Sequence, residues 1–276
     1  MTVSADTDIF QTYIYLTQVV QAETMMFGYR GWRRQWGDER HCGGALLWQL
    51  NDCWPTISWA IVDYFLKPKP AYYAVKRVLN PIAVGVRREH HDWSVAHAQP
   101  PKTSKYDVWI ASNKAETFQG TVELRFISVN TGQEIGAPIE RNNLTITANG
   151  TTDIINNWVI DHIAEPEPHV LAVRLWVDNE IVARDIDWPQ PFKYLDFSER
   201  QLDIQRKSGK AEETVLVINA RKPVKCLVFE EQEGVQLEDN AIDVAPGDEQ
   251  TIKVIGLGNK SLRYRYLGQE LSETVA

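Results

Sequence analysis

Cysteine is scarce in this chain: three among 276 residues, Cys42, Cys53 and Cys226. An odd count offers no disulfide framework and suits a reducing compartment. Long apolar runs are missing as well. No segment approaches the ~20 residues of a membrane-spanning helix, and the polar stretch Met1–Asp8 has no apolar signal core. Basic excess is absent too. A net charge of −8 argues against nucleic acid, whose binding needs a basic footprint. Neither a Gly-rich phosphate loop nor a Gly-x-Ser-x-Gly elbow occurs.

Metal-ligand spacing is also lacking. His90 and His91 are adjacent, so in an extended segment their rings point to opposite faces. His41-Cys42 has no second pair nearby, and His97, His162 and His169 are expected on loops. No metal or cofactor is therefore expected. Three sequons, at Asn143, Asn149 and Asn259, point towards secretion, but the few cysteines rank the cytoplasm first.

What the chain does have is tryptophan. Five of its ten fall between Trp32 and Trp59. The densest stretch is Leu47-Trp-Gln-Leu-Asn-Asp-Cys-Trp-Pro55, followed by Ser58-Trp59. Ala45–Leu50 has the continuous apolar character of a strand covered on both faces, and Pro55 closes the loop that follows. Indole faces next to Gln49, Asn51 and Asp52 are what a sugar site needs. The rings cover the apolar face of a pyranose, and the short polar groups pair with its hydroxyls. Core packing is the competing role for any one of these tryptophans, and Trp59 is expected to pack under the last helix. Alternate residues of a strand face opposite ways, so Trp48 and Leu50 share one face and Leu47 and Gln49 the other. Whichever face turns to the sugar decides between Trp48 and Gln49.

Residues 8–36 read as a helix, with Ile9, Tyr13, Leu16, Val20 and Phe27 at helical spacing. The basic group Arg30, Arg33 and Arg34 suits its C-terminus. A short helix is expected over Ala71–Leu79, preceded by Pro68 and Pro70. The period then changes. Strands are expected at Ile82–Arg87, Tyr106–Ser112, Gly120–Ser128, Leu144–Thr147, Asp153–Val159, Val170–Val177 and Ile181–Asp185, forming an antiparallel sandwich. After Trp188-Pro-Gln-Pro191 tryptophan disappears. Six short strands are expected there: Gln201–Gln205, Thr214–Asn219, Lys225–Glu230, Ala241–Val244, Gln250–Ile255 and Leu262–Tyr266.

The stretch Leu47–Pro55, with Ser58-Trp59, Lys67-Pro-Lys-Pro-Ala-Tyr-Tyr73 and the upstream Gln21-Ala-Glu-Thr-Met-Met-Phe-Gly-Tyr-Arg-Gly-Trp-Arg-Arg34, resembles the β-mannosidases of glycoside hydrolase family 2, the fungal intracellular branch most closely. The resemblance is specific over about residues 10–90. It implies a mixed fold: the terminal strand and helices of a (β/α)8 barrel over 1–81, then two all-β immunoglobulin-like sandwiches over 82–190 and 191–276. It also implies substrate-binding roles for Trp48, Gln49, Asn51, Asp52 and Trp54, with Trp48 lining the terminal-mannose subsite. The substrate would be a β-mannoside oligosaccharide.

A retaining glycosidase needs two carboxylates about 5–5.5 Å apart. The resemblance places them on the fourth and seventh barrel strands, outside this sequence. Asn179-Glu180, a chance match to one motif, falls in an expected turn. Asp52 is the best-placed carboxylate, with Asp38 and Glu39 on the loop before the strand. Alone it cannot perform double displacement, so it is expected to orient or hydrogen-bond. The chain by itself is expected to be inactive. The alternative is a non-catalytic sandwich module that binds carbohydrate or a protein.

Overall fold

A computed structural model of the chain describes residues 5–38, 40–92, 101, 103–161, 167–210 and 213–275. Glu39, His97 and His162 lie outside them. The described residues are mostly β-sandwich with two α-helices, α1 (Ala5–Arg34) and α2 (Pro70–Val78). They form two compact units. One gathers Met1–Tyr29, Leu46–Arg77 and Phe197–Ala276; the other gathers Arg30–Ala45 and Val78–Asp196.

The second unit is a seven-stranded sandwich. Its smaller sheet orders β1 (Ile82–Arg88), β2 (Thr103–Ser112) and β5 (Gly150–Asp161). The larger orders β4 (Ile139–Ile146), β3 (Phe118–Ser128), β6 (His169–Val177) and β7 (Glu180–Asp187). All the pairings are antiparallel. Val86, Tyr106, Val108, Ile110, Val122, Leu124, Leu171 and Val173 fill the space between the sheets. β6 and β7 are joined by Asp178 and Asn179, both at positive φ, as a two-residue hairpin whose twist matches its strands requires. His169 starts β6 rather than lying on a loop, and its Nε2 is 2.8 Å from the Tyr106 hydroxyl. Gly85 faces Trp109 across β1 and β2; a Cβ there would meet the indole at 2.3 Å.

The basic end of α1 belongs to this unit. Arg34 donates to Asp107 at 2.8 Å, reaches Asp153 at 3.2 Å, and lies over the Trp109 ring. Arg30 donates to Asp185 at 2.7 Å. These guanidiniums act as structural ion-pair partners, consistent with a helix C-terminus.

The first unit contains the other sandwich. One sheet orders β11 (Gln236–Leu237), β13 (Gln250–Ile255), β9 (Glu213–Ala220) and β8 (Leu202–Ser208). The second orders β12 (Ile242–Val244), β10 (Val224–Phe229), β14 (Leu262–Tyr266) and β15 (Gln269–Val275). Leu216, Ile218, Leu227, Phe229, Val244, Ile252, Val254 and Leu262 make its core. β11 and β15 were not expected from the sequence.

Two expectations are corrected in this unit. Ala45–Leu50 is not a strand: it runs as an irregular segment, and only Asn51 makes an isolated bridge, to Val62. A covered parallel strand needs hydrogen-bonding neighbours on both sides, and among the described residues the backbone bonds between elements reach 45–50 only at its end, where Leu50 O accepts from Val62 N. A barrel is accordingly not evident among the described residues. The expected apolar stripe of α1, Ile9, Tyr13, Leu16, Val20 and Phe27, is exposed. The stripe that packs is Tyr15, Val19, Ala22 and Tyr29. The helix is therefore apolar on two sides, a pattern belonging to helices covered all round.

Candidate functional site

The aromatic loop, residues 46–69, hangs from α1 and α2. Ala22 of α1, Ala71 and Ala74 of α2, and Ile61 form a small buried cluster. Leu47, Met25, Met26, Val62 and Tyr72 pack on its edges. Backbone bonds then tie the loop to itself. Val62 N donates to Leu50 O at 2.9 Å, Asp52 N to Val62 O at 3.2 Å, and Lys69 N to Ile61 O at 2.9 Å. Gln21 of α1 donates through Nε2 to the Trp59 carbonyl at 2.8 Å.

The residues read as a sugar site divide sharply. Asp52 is buried, at 6% exposure. Its carboxylate accepts from Ser58 Oγ at 2.5 Å, and Lys69 Nζ lies 3.6 Å away. Ser58 in turn accepts from Ala60 N at 3.0 Å. Asp52 is thus a brace at the turn, with its oxygens committed to protein partners. Asn51 is exposed and donates to the Asp52 carbonyl at 3.3 Å. Gln49 is half-buried. Trp48 and Trp54 are exposed, at 79% and 71%. The Trp48–Gln49 peptide is cis. Trp59 is exposed too, contrary to the expectation that it packs under a helix; only its carbonyl is held, by Gln21.

Although 45–50 is not a strand, its side chains alternate. Leu47 turns to the helix cluster, while Leu46, Trp48 and Leu50 turn away from it and are exposed. The exposed side of the segment therefore carries Trp48 rather than Gln49. Ile57, Tyr64, Phe65 and Leu66 of the same loop are exposed as well. Sequence reasoning did not single out Ser58, Lys69 or Gln21 as its supports. Nothing in their spacing marks them; the folded loop brings them to the turn.

The sandwich of the first unit also grips α2. Tyr73 donates to Glu231 at 2.9 Å, and Arg77 to Asp239, Asn240 O and Ala241 O at 2.6–2.7 Å. Burial pushes the Tyr73 phenol well up, reinforced by the Glu231 charge beside it. Burial also raises the Glu231 carboxyl, against the bond from Tyr73.

This architecture and this loop recur in known proteins. Residues 104–194 match the Mannosidase Ig/CBM-like domain family. The chain is 70% identical over 261 residues to a protein named beta-mannosidase B from Aspergillus oryzae, and 69% identical over 260 residues to one from Aspergillus niger. Over nearly its whole length the chain is similar to the β-mannosidases of glycoside hydrolase family 2. Each match takes 94% of the chain but only 31% of the relative, so the chain spans about a third of the length of the curated relatives it matches. Among solved structures, a β-D-mannosidase from Dictyoglomus thermophilum superposes with a TM-score of 0.74 at 23% identity, over 92% of this chain and 29% of that one. An exo-chitosanase from Amycolatopsis orientalis superposes at 0.67 with 16% identity, over 94% and 34%. One fold thus serves enzymes named for different sugars, and fold alone does not choose the substrate.

Proposed function

We propose that this chain is the C-terminal part of a retaining β-mannosidase that removes terminal β-D-mannose from non-reducing ends of β-mannosides. Residues 1–81 would supply the last strand and helices of its barrel, and 82–190 and 191–276 its two accessory sandwiches. The observation that carries this reading is 70% identity to beta-mannosidase B over nearly the whole chain. Physical support comes from α1. A helix with apolar residues on two sides, beside a loop that exposes Leu46, Trp48 and Ile57, is a buried element of a larger protein. Ala45–Leu50 would become a strand once neighbours pair with it.

In this reading Trp48 faces the sugar, because it alternates away from the helix-facing Leu47. Trp54 borders the same surface. Asp52 keeps the turn closed through Ser58 and Lys69, and Asn51 and Gln49 complete the polar rim. The chain alone performs no double displacement, since Asp52, the carboxylate beside the tryptophans, is buried and engaged.

An aryl β-mannoside assay on the purified chain tests this. No turnover is expected. Turnover in the wild type that vanishes in Asp52→Asn would overturn the reading.

A further inference from the structure

Lys225 is an expensive residue placed where nothing in the proposed chemistry calls for it. It is the second residue of β10, with a side chain 1% exposed. Its Nζ lies 2.6 Å from Glu23 Oε1 of α1 and 2.8 Å from Asp243 Oδ2. Burial alone would push the ammonium down; the Asp243 and Glu23 carboxylates outweigh it and keep it charged. Buried charges are tolerated only when paired this closely.

The backbone around Lys225 is unusual as well. β10 slips register against β12 between Val224 and Leu227, and Cys226 adopts a φ of +52°. A bulge of this kind re-aims a side chain, and a non-glycine residue in the left-handed region persists only where its surroundings over-determine it. Here they do. Asp243 Oδ1 accepts from Cys226 N at 2.9 Å, and Tyr15 of α1 donates to Cys226 O at 2.8 Å. Two adjacent residues of one bulge therefore hold α1 at Tyr15 and at Glu23, eight residues or about 12 Å apart along the helix. That fixes both the rotation of α1 and its position along its axis.

The grip continues into the loop. Two residues before Glu23, Gln21 donates to Trp59 O at 2.8 Å and reaches Ala60 O at 3.4 Å. Next along the chain, Ile61 O accepts from Lys69 N, and Val62 holds both Leu50 and Asp52 by the backbone bonds described above.

We propose that Lys225 and Gln21 are positioning residues: the bulge in β10 sets the register of α1, and α1 through Gln21 sets the aromatic loop that carries Trp48. The functional meaning rests on the reading of that loop as the mannose-facing element; the coupling does not. A C-terminal sandwich so coupled is part of the site's frame rather than an appended module.

The test is amide hydrogen exchange on the full chain, comparing wild type, Lys225→Met and Gln21→Ala. Arg206→Ala, which removes exposed bonds to Gly258 O and Lys260 O in the same sandwich, is the control. Both test variants should speed exchange at the Asp52 and Val62 amides about tenfold. The amides of β9 and β13 should keep wild-type rates, and Arg206→Ala should leave the loop unchanged. Wild-type rates at Asp52 and Val62 in either test variant overturn the proposal. So does acceleration of β9 and β13 by the same factor, which would mean general loosening. Where Lys225→Met does not fold, Glu23→Gln takes its place; it keeps an oxygen facing Lys225, so about a twofold effect at the same two amides is expected, and no effect overturns the proposal. Because no glycosidase assay enters, a negative result here leaves the β-mannosidase reading standing, and loss of that reading leaves the coupling testable.

Discussion

Leu47 and Trp48 are neighbours in sequence and face opposite ways: Leu47 packs on the Ala22–Ala71–Ala74 cluster, and Trp48 is open to solvent. This alternation survives without a strand. It assigns Trp48, not Gln49, to the exposed side of the loop and gives the first prediction. In an intact β-mannosidase carrying these residues, Trp48→Ala should lower kcat/KM by roughly 5- to 150-fold through lost stacking, on the order of 1–3 kcal/mol. Gln49→Ala should do less. Trp109→Ala should instead act on stability by about 3–5 kcal/mol, since Trp109 is buried in a sandwich. Kinetics paired with thermal melts separates the two effects. A stably folded Trp48→Ala with wild-type kinetics would remove Trp48 from the site.

The second apolar stripe of α1 predicts opposite effects in two contexts. In the isolated chain, Tyr13→Glu and Phe27→Glu should reduce dye binding and self-association, with stability changed by no more than about 0.5 kcal/mol. In the intact enzyme each should cost about 1.5–3 kcal/mol, because the same side chains would then be covered. Equal effects in both contexts would mean that this face is free in the enzyme as well.

Gly85 lies against the Trp109 indole with no room for a methyl group. Gly85→Ala should destabilise the second unit by about 1–3 kcal/mol. In a Trp109→Leu background the added cost should shrink, which a double-mutant cycle on melting free energies would show.

Asp107 binds the end of α1 and should shape the acid limb of stability. Its burial favours the neutral acid, but the bond from Asn157 N and those from Arg34 and Arg87 hold the carboxyl below its usual range. A carboxyl depressed in the folded state stabilises above its unfolded value of 3.8, and that contribution is lost as pH falls through the folded value. Asp107→Asn should therefore cost about 3 kcal/mol at pH 7. The difference from wild type should narrow below pH 3.8. A gap that stays constant down to the lowest pH would contradict this.

The sandwich strands were legible as short β-branched and apolar runs bounded by turn residues; burial alternates strictly in β13 but is nearly continuous in β2 and β6. Gln250–Ile255 and Leu262–Tyr266 were placed to the residue, and the others overlap their strands, least well at β4, where Leu144–Thr147 starts five residues late. The two missed strands are short or polar: β11 has two residues, and β15 reads Gln-Glu-Leu-Ser-Glu-Thr-Val. Edge positions need no apolar alternation to pair. The helix was legible, but its packed stripe was not. α1 carries two apolar stripes, and the one with larger residues at regular spacing, Ile9 to Phe27, is the exposed one. Ala45–Leu50 has a buried strand's composition, yet a strand exists only with partners. The aromatic turn was visible as residue types. Its supports were not, because Gln21, Ser58 and Lys69 meet it only through the fold, and Lys225 lies hidden in an otherwise apolar run.

The most direct measurement is a replacement. The 261-residue stretch of Aspergillus oryzae beta-mannosidase B that matches this chain is exchanged for the residues of this chain, and the chimera is assayed on aryl β-mannosides beside the isolated chain. The account predicts that the isolated chain is inert. The chimera should hydrolyse the mannoside within about tenfold of its parent, with retention at the anomeric carbon. A chimera that melts like its parent yet turns over no mannoside, or that prefers a different aryl glycoside, would contradict it.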